Sequence, residues 1–210
     1  MNAKTFRSLL ANLAVSTVVA CSAAAGTASA AEPVRIAVTN WADVLAVANV
    51  AKYVLETQLK QPVQFVQADI GIQYQGIARG DLDIMVGGWL PVTHGAYYAK
   101  YKNDLDDVGV VYSGGKNGWA VPAYVPESEL SSIADLNKPE VKSKLNGTIQ
   151  GIEPGGGLMQ ASEKTIKAYN LDGYNLQASS EAGMLASVSR AYQSKQWIVA
   201  TVWSPHWLFQ

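Results

Sequence analysis

The sequence predicts an α/β fold in two halves, each a largely parallel sheet flanked by helices. Short runs rich in β-branched residues alternate with helical stretches along the whole chain, which is typical of α/β units on a parallel sheet. A glycine-rich segment at 113–118 separates the two halves. Ligands of such folds bind at the carboxyl ends of strands or between lobes, so we expect a site there.

The elements of the first half follow from the spacing of apolar residues. Residues 42–59 carry apolar side chains at the spacing of an amphipathic helix, which Pro62 interrupts. Residues 63–67 alternate apolar and polar side chains, as a half-buried strand does. The same criteria predict strands at 34–38, 63–67, 83–86, 108–112 and 119–125, and helices at 42–59, 70–79 and 96–101.

A polar stretch with turn signals, 126–146, precedes the second half. Beyond it the sequence predicts strands at 148–152, 175–178 and 197–203, and helices at 158–169 and 181–193. Glu163 and Lys167 stand four residues apart and support the first of these helices.

The first thirty residues predict a signal peptide. A basic start precedes an apolar run at 8–20 that is too short to span a bilayer. Ala28-Ser29-Ala30 fits a cleavage pattern that leaves Ala31 as the first mature residue, and this predicts a periplasmic protein. Residues 18–21 also match a lipoprotein box, so lipid anchoring at Cys21 stays open as an alternative.

Composition argues against several function classes. The formal net charge of −1 and the lack of a basic run argue against a nucleic acid partner. The only cysteine, Cys21, lies in the leader, and neither His94 nor His206 has the spacing of a metal ligand, so we predict no metal and no cofactor. The sequence has neither a nucleophile elbow nor a phosphate-binding loop, and we predict that the protein is not an enzyme.

Six tryptophans against three phenylalanines are an unusual balance, because a buried indole needs a partner for its N–H group. Trp41, Trp89, Trp119 and Trp203 stand where predicted strands end or turn. Ring faces are what a quaternary ammonium group requires, at about 0.5–2 kcal/mol per ring. The alternative is that these rings are ordinary packing residues. We assign Trp197 to the core and leave Trp207 open.

Five segments resemble the substrate-binding proteins of glycine betaine/choline-type (quaternary ammonium) ABC importers. Gly88-Trp89-Leu90-Pro91 and Ser204-Pro205-His206-Trp207 are the most specific parts. The segments are residues 34–43, 87–98, 132–136, 151–157 and 203–209, and the resemblance covers essentially the whole predicted mature chain.

This resemblance implies a two-lobed, hinged periplasmic-binding-protein fold of type II-like design. Lobe 1 is expected at 31–115 and lobe 2 at 116–203. Family members continue beyond the Ser-Pro-His-Trp segment, so residues 204–210 are expected to be the start of a return into lobe 1 that this chain cuts short.

The resemblance also implies a function. It predicts a receptor that binds glycine betaine, choline, carnitine or a similar compound in a tryptophan cage and docks, as a monomer, on membrane ABC permease subunits. The cage carries over onto Trp41, Trp89, Trp119 and Trp203.

Further site residues follow from the same resemblance. Asp43 is the expected acidic neighbour of a cation, although a helix start also favours an acidic residue. Backbone N–H groups at Gly155, Gly156 and Gly157 are candidates to receive a carboxylate or hydroxyl. His206 is a candidate donor to a carboxylate, and His94 is a weaker one. A plain turn and packed histidines are the alternatives.

Two other function classes remain to be weighed. One is an exported hydrolase with an aromatic-lined cleft, in which Asp43 and Glu153 act as acid and base. The other is the effector lobe of a transcription regulator, against which the export signal and the lack of a helix-turn-helix count.

Overall fold

The computed structural model describes residues 31–209. The predicted signal peptide, its cleavage site and Cys21 lie outside these residues. In chain order the elements are β1 (Val34–Val38), α1 (Ala42–Gln58), β2 (Val63–Gln67), α2 (Ile70–Arg79), β3 (Ile84–Met85), α3 (Gly95–Tyr101), β4 (Lys116–Ala120), a 3₁₀ helix (Ile133–Asn137), α4 (Pro139–Lys144), β5 (Thr148–Gln150), α5 (Gly157–Ala168), β6 (Asn175–Gln177), α6 (Glu181–Ser194), β7 (Val199–Ser204) and a second 3₁₀ helix (Trp207–Phe209).

Two sheets organise these elements. In the first sheet β1 lies between β2 and β3, and both pairings are parallel. In the second sheet the order is β4-β7-β5-β6; β5 pairs in parallel with β6 and β7, and β4 runs antiparallel to β7. The predicted α/β fold with largely parallel sheets is therefore confirmed.

Two apolar clusters form the core, and the boundary between the clusters does not coincide with the boundary between the two sheets. The larger cluster joins the first sheet to the end of β7: Ile36 and Val38 belong to it together with Val202 and Trp203. The smaller cluster contains Ile149 of β5 and Val199 of β7. From Pro33 onward the chain forms one compact unit, so the two sheets share a core.

The predicted strand at 108–112 is wrong. Val108 is 98% exposed and Val110 is 84% exposed, and within residues 31–209 neither sheet pairs with this segment. A β-branched run forms a strand only where the edge of a sheet offers free backbone N–H and C=O groups for pairing.

The boundaries of two other elements differ from prediction. The strand expected at 119–125 is β4, which ends at Ala120, because Pro122 lacks an N–H group and its carbonyl instead accepts from Val125 in a turn. The stretch 126–146, predicted to consist of polar turns, contains α4, with Pro139 in the first turn of this helix. Proline is favoured at that position, so the residue that indicated a turn begins a helix.

No helix among residues 31–209 has the length and apolar character needed to cross a membrane.

Candidate functional site

Three tryptophan side chains lie near the ends of strands that belong to the two sheets. Trp41 follows β1 and precedes the first turn of α1, Trp89 follows β3, and Trp203 stands one residue before the end of β7. They line a cavity that opens to solvent, which we call the indole cavity. Its lining residues are Trp41, Trp89, Thr93, His94, Asn117, Ile152, Gly157, Leu158 and Trp203.

Trp41 and Trp203 are buried and tilted against each other, with ring centroids 6.1 Å apart and planes at 52°. The Trp41 ring also stacks on His94 at 6.4 Å. Tilted rings present faces toward a common space, where a cation is attracted by the ring quadrupoles.

Asp43 holds Trp203 rather than standing free beside a ligand. Its Oδ1 accepts from Nε1 of Trp203 at 3.1 Å, and its Oδ2 accepts from the Tyr112 hydroxyl at 2.9 Å. Burial, and then the charge of Asp43, raises the pKa of Tyr112, so this phenol stays a donor. The Tyr112 ring meets Trp89 edge to face at 6.2 Å.

Tyr112 was missed as a site residue. It belongs to the segment wrongly predicted as a strand, and the only hint in the sequence was its aromatic side chain beside the glycine-rich run.

Glu153 holds Trp41 in the same way. Its Oε2 accepts from Nε1 of Trp41 at 3.0 Å, and its Oε1 accepts from the backbone N–H of Glu181 at 3.3 Å. Glu153 follows β5 in the second sheet, whereas Trp41 follows β1 in the first, so this bond joins the two sheets.

Glu181 forms a third bridge and was also missed. At the start of α6 it is 5% exposed; its Oε2 accepts from the Ala42 N–H at 3.0 Å and its Oε1 lies 3.0 Å from Nε2 of His206. Nδ1 of His206 accepts from the Leu208 N–H, so Nε2 carries the ring proton and donates to Glu181. In sequence, Glu181 looks like any acidic residue in a first helical turn.

His94 fixes the loop that carries Trp89. Its ring Nδ1 accepts from the backbone N–H of Trp89 at 3.0 Å, and the backbone N–H of His94 donates to the Trp89 carbonyl at 2.8 Å. Burial lowers the pKa of His94 to about 4, against a smaller opposing effect of its hydrogen bond to the Gly87 backbone. The imidazole in the cavity wall is therefore neutral near neutral pH.

Gly155 and Gly156, just before α5, are bonded within the protein. The Gly155 carbonyl accepts from the Tyr97 hydroxyl at 2.9 Å, and the Gly156 N–H donates to the Glu153 carbonyl. Gly157 lines the cavity, and a Cβ there would collide with the carbonyl oxygen of Thr93. The start of α5 thus lies directly against the loop after β3.

The other tryptophans lie elsewhere. Trp119 does not line the indole cavity: its Nε1 donates to Ser162 of α5 at 2.8 Å, and its ring packs against the smaller core cluster. Trp197 packs against that same cluster. Trp207 is 58% exposed and lies against His206 with ring centroids 5.4 Å apart. The structure therefore brings together Trp41, Trp89 and Trp203.

The carboxylates around the cavity bind indole N–H groups, and the described residues form no metal centre. Asp43 and Glu153, the pair weighed for a hydrolase, both accept indole N–H bonds. Within residues 31–209 there is no group of three or more His, Cys, Asp or Glu side chains that could hold a metal ion.

Comparison with known proteins identifies the family. Residues 32–210 match the family described as the substrate-binding domain of ABC-type glycine betaine transport systems. The glycine betaine/carnitine transport binding protein GbuC of Listeria monocytogenes is 43% identical over 74 residues, which are 34% of this chain and 25% of that protein.

Two solved structures are similar over most of the chain. Lactococcal OpuAC, in a closed form complexed with glycine betaine, is 36% identical, with a TM-score of 0.76 over 85% of this chain and 67% of its own. An ABC-transporter choline-binding protein in complex with choline is 31% identical, with a TM-score of 0.73 over 83% of this chain and 60% of its own. The predicted resemblance and its periplasmic-binding-protein fold are confirmed: the chain belongs to the family of substrate-binding domains of ABC-type glycine betaine transport systems.

Proposed function

We propose that this protein is an extracytoplasmic solute receptor that binds a quaternary ammonium compound and delivers it to the permease of an ABC importer. The observation that carries the proposal is the cavity lined by Trp41, Trp89 and Trp203 at the strand ends of two sheets. Relatives named for binding glycine betaine, carnitine and choline support it.

The chemistry of the cavity suits such a ligand. A quaternary ammonium group has no N–H to donate, so a protein holds it with ring faces, each contributing about 0.5–2 kcal/mol. The indole N–H groups of Trp41 and Trp203 are already bonded to carboxylates, which fixes the rings and leaves their faces for the ligand. The neutral His94 adds no positive charge that would repel a cation.

The remaining parts of the proposal rest on the sequence and on the resemblance to the family. They are permease subunits as partners, a monomeric receptor without catalytic activity or cofactor, lobes at 31–115 and 116–203, and export by a leader at 1–30. Lipid anchoring at Cys21 is the alternative form of export.

The direct test is a calorimetric titration of the purified protein with choline, glycine betaine and carnitine, followed in parallel by tryptophan fluorescence. At least one of them should bind and change the emission, because three of the tryptophans that emit line the cavity. The control ligand is the neutral carbon analogue of choline, in which a tert-butyl group replaces the trimethylammonium group. It should bind at least about tenfold more weakly, since it lacks the charge.

Circular dichroism must show that the sample is folded. A folded protein that binds none of the three compounds would refute the proposal. Equal affinity for choline and its neutral analogue would show an apolar cavity without recognition of the cation.

A further inference from the structure

We infer that the site selects a net cation that carries no carboxylate, such as choline, over a zwitterion such as glycine betaine. This selectivity rests on the proposed function and narrows its ligand class. Its basis is a set of three carboxylates around the indole cavity, Asp43, Glu153 and Glu181, which we call the supporting carboxylates.

The supporting carboxylates act as hydrogen-bond acceptors, as ionised carboxylates do. Each of them accepts a hydrogen bond on both of its oxygens: Asp43 from Trp203 and Tyr112, Glu153 from Trp41 and the Glu181 N–H, and Glu181 from Ala42 and His206. A protonated carboxyl group would have to donate from one of those oxygens. Three negative charges therefore stand behind the cavity wall.

Within the described part of the chain no lysine or arginine balances these charges, and the one basic partner recorded there is His206, whose Nε2 donates to Glu181. Among residues 31–209, the lysine and arginine ion pairs involve Asp83, Glu56, Asp135 and Glu129, and none reaches a supporting carboxylate. The cavity lining contains neither lysine nor arginine. A bound monocation supplies the missing positive charge, whereas a zwitterion supplies none in total.

Three donors that could serve a ligand carboxylate are already bonded within the protein. The Ala42 N–H and Nε2 of His206 both point to Glu181, and the Gly156 N–H is bonded to Glu153. To use the Ala42 N–H or His206, a betaine carboxylate would have to displace the buried Glu181 carboxylate, and anywhere in the cavity it would lie near like charges; both are costly. A hydroxyl group in the same place carries no such penalty.

Calorimetry of the wild-type protein tests this selectivity with three ligands that share the trimethylammonium group: choline, ethyltrimethylammonium and glycine betaine. Choline and ethyltrimethylammonium should both bind at least about tenfold more tightly than glycine betaine, a difference of about 1.4 kcal/mol. Glycine betaine binding as tightly as either cation overturns the inference and leaves the proposed function intact. Absence of binding by all three refutes the proposed function as well.

A variant tests whether the supporting carboxylates cause the preference. Glu181→Gln removes one negative charge and keeps the shape of the side chain, so the ratio of choline affinity to glycine betaine affinity should fall about threefold or more. Glu127→Gln, an exposed residue with the same change of charge, should leave the ratio unchanged. If Glu181→Gln does not fold, Glu153→Gln provides the same measurement. A ratio that stays constant in the folded variant overturns the inference.

Discussion

At the scale of single residues, the direction of an indole N–H separates ligand-binding tryptophans from structural ones. Trp41 and Trp203 donate to carboxylates, and their rings line the indole cavity. Trp119 donates to Ser162 on α5, and its ring fills the packing between helix and sheet. Their positions near the ends of predicted strands made all three tryptophans candidates for the site. The packing of the elements decides which of them line the cavity.

Two substitutions separate these roles. Trp203→Ala removes one cation–π ring together with its packing, so the affinity for the bound onium compound should fall at least about tenfold. Trp119→Phe should lower the free energy of unfolding by about 0.5–1.5 kcal/mol through the lost hydrogen bond, and should change affinity less than about twofold. Calorimetry and denaturant unfolding of both variants give the comparison. A stable Trp119→Phe protein that no longer binds the onium compound would show that Trp119 belongs to the binding site.

At the scale of elements, the helices and parallel strands were predictable because each pattern is local. The strand Val63–Gln67 and the helix Ile70–Arg79 fall where alternation and periodicity predicted them, and Gly80 ends that helix in the left-handed conformation. The segment at 108–112 failed because a strand depends on a partner edge that the segment itself does not specify. For the same reason Tyr112 and Glu181 could not be assigned to the site: their roles arise from contacts 69 residues away along the chain for Tyr112 and 139 for Glu181.

The start of α5 gives a prediction about how closely the two walls of the cavity must approach. Gly157→Ala would place a Cβ against the Thr93 carbonyl across the cavity. Overpacking of this kind costs about 1–3 kcal/mol, so affinity should fall about fivefold to 150-fold. Helix propensity favours alanine, so the helix itself should not be weakened.

Gly95→Ala is the matched control, because Gly95 begins α3 and a Cβ there meets nothing within 4 Å. Its affinity should stay within about twofold of the wild-type value in the same calorimetric titration. Equal losses in both variants, or none in Gly157→Ala, would show that Thr93 and Gly157 need not approach for the ligand to bind.

At the scale of the whole molecule, the ligand site and the contact between the sheets are the same structure. The Trp41–Glu153, Ala42–Glu181 and Asp43–Trp203 bonds each join a residue that follows β1 to one in or near the second sheet. Asn117 of β4 adds a contact to the loop after β3, where its Nδ2 donates to the Thr93 hydroxyl at 2.9 Å. A ligand that touches Trp41 and Trp203 must therefore stabilise both sheets together.

This coupling predicts the pattern of amide hydrogen exchange on binding. With ligand at a hundred times its dissociation constant, the free energy of unfolding should rise by about 2.7 kcal/mol. When followed by mass spectrometry, exchange should slow in segments that belong to both sheets: 41–45 after β1, 153–158 around the start of α5, and 199–204 in β7. The Trp203→Ala protein at the same ligand concentration serves as the control and should show little added protection. Protection confined to 41–45, with 153–158 and 199–204 unchanged, would mean that the ligand rests on the first sheet alone and that the second sheet takes no part in binding.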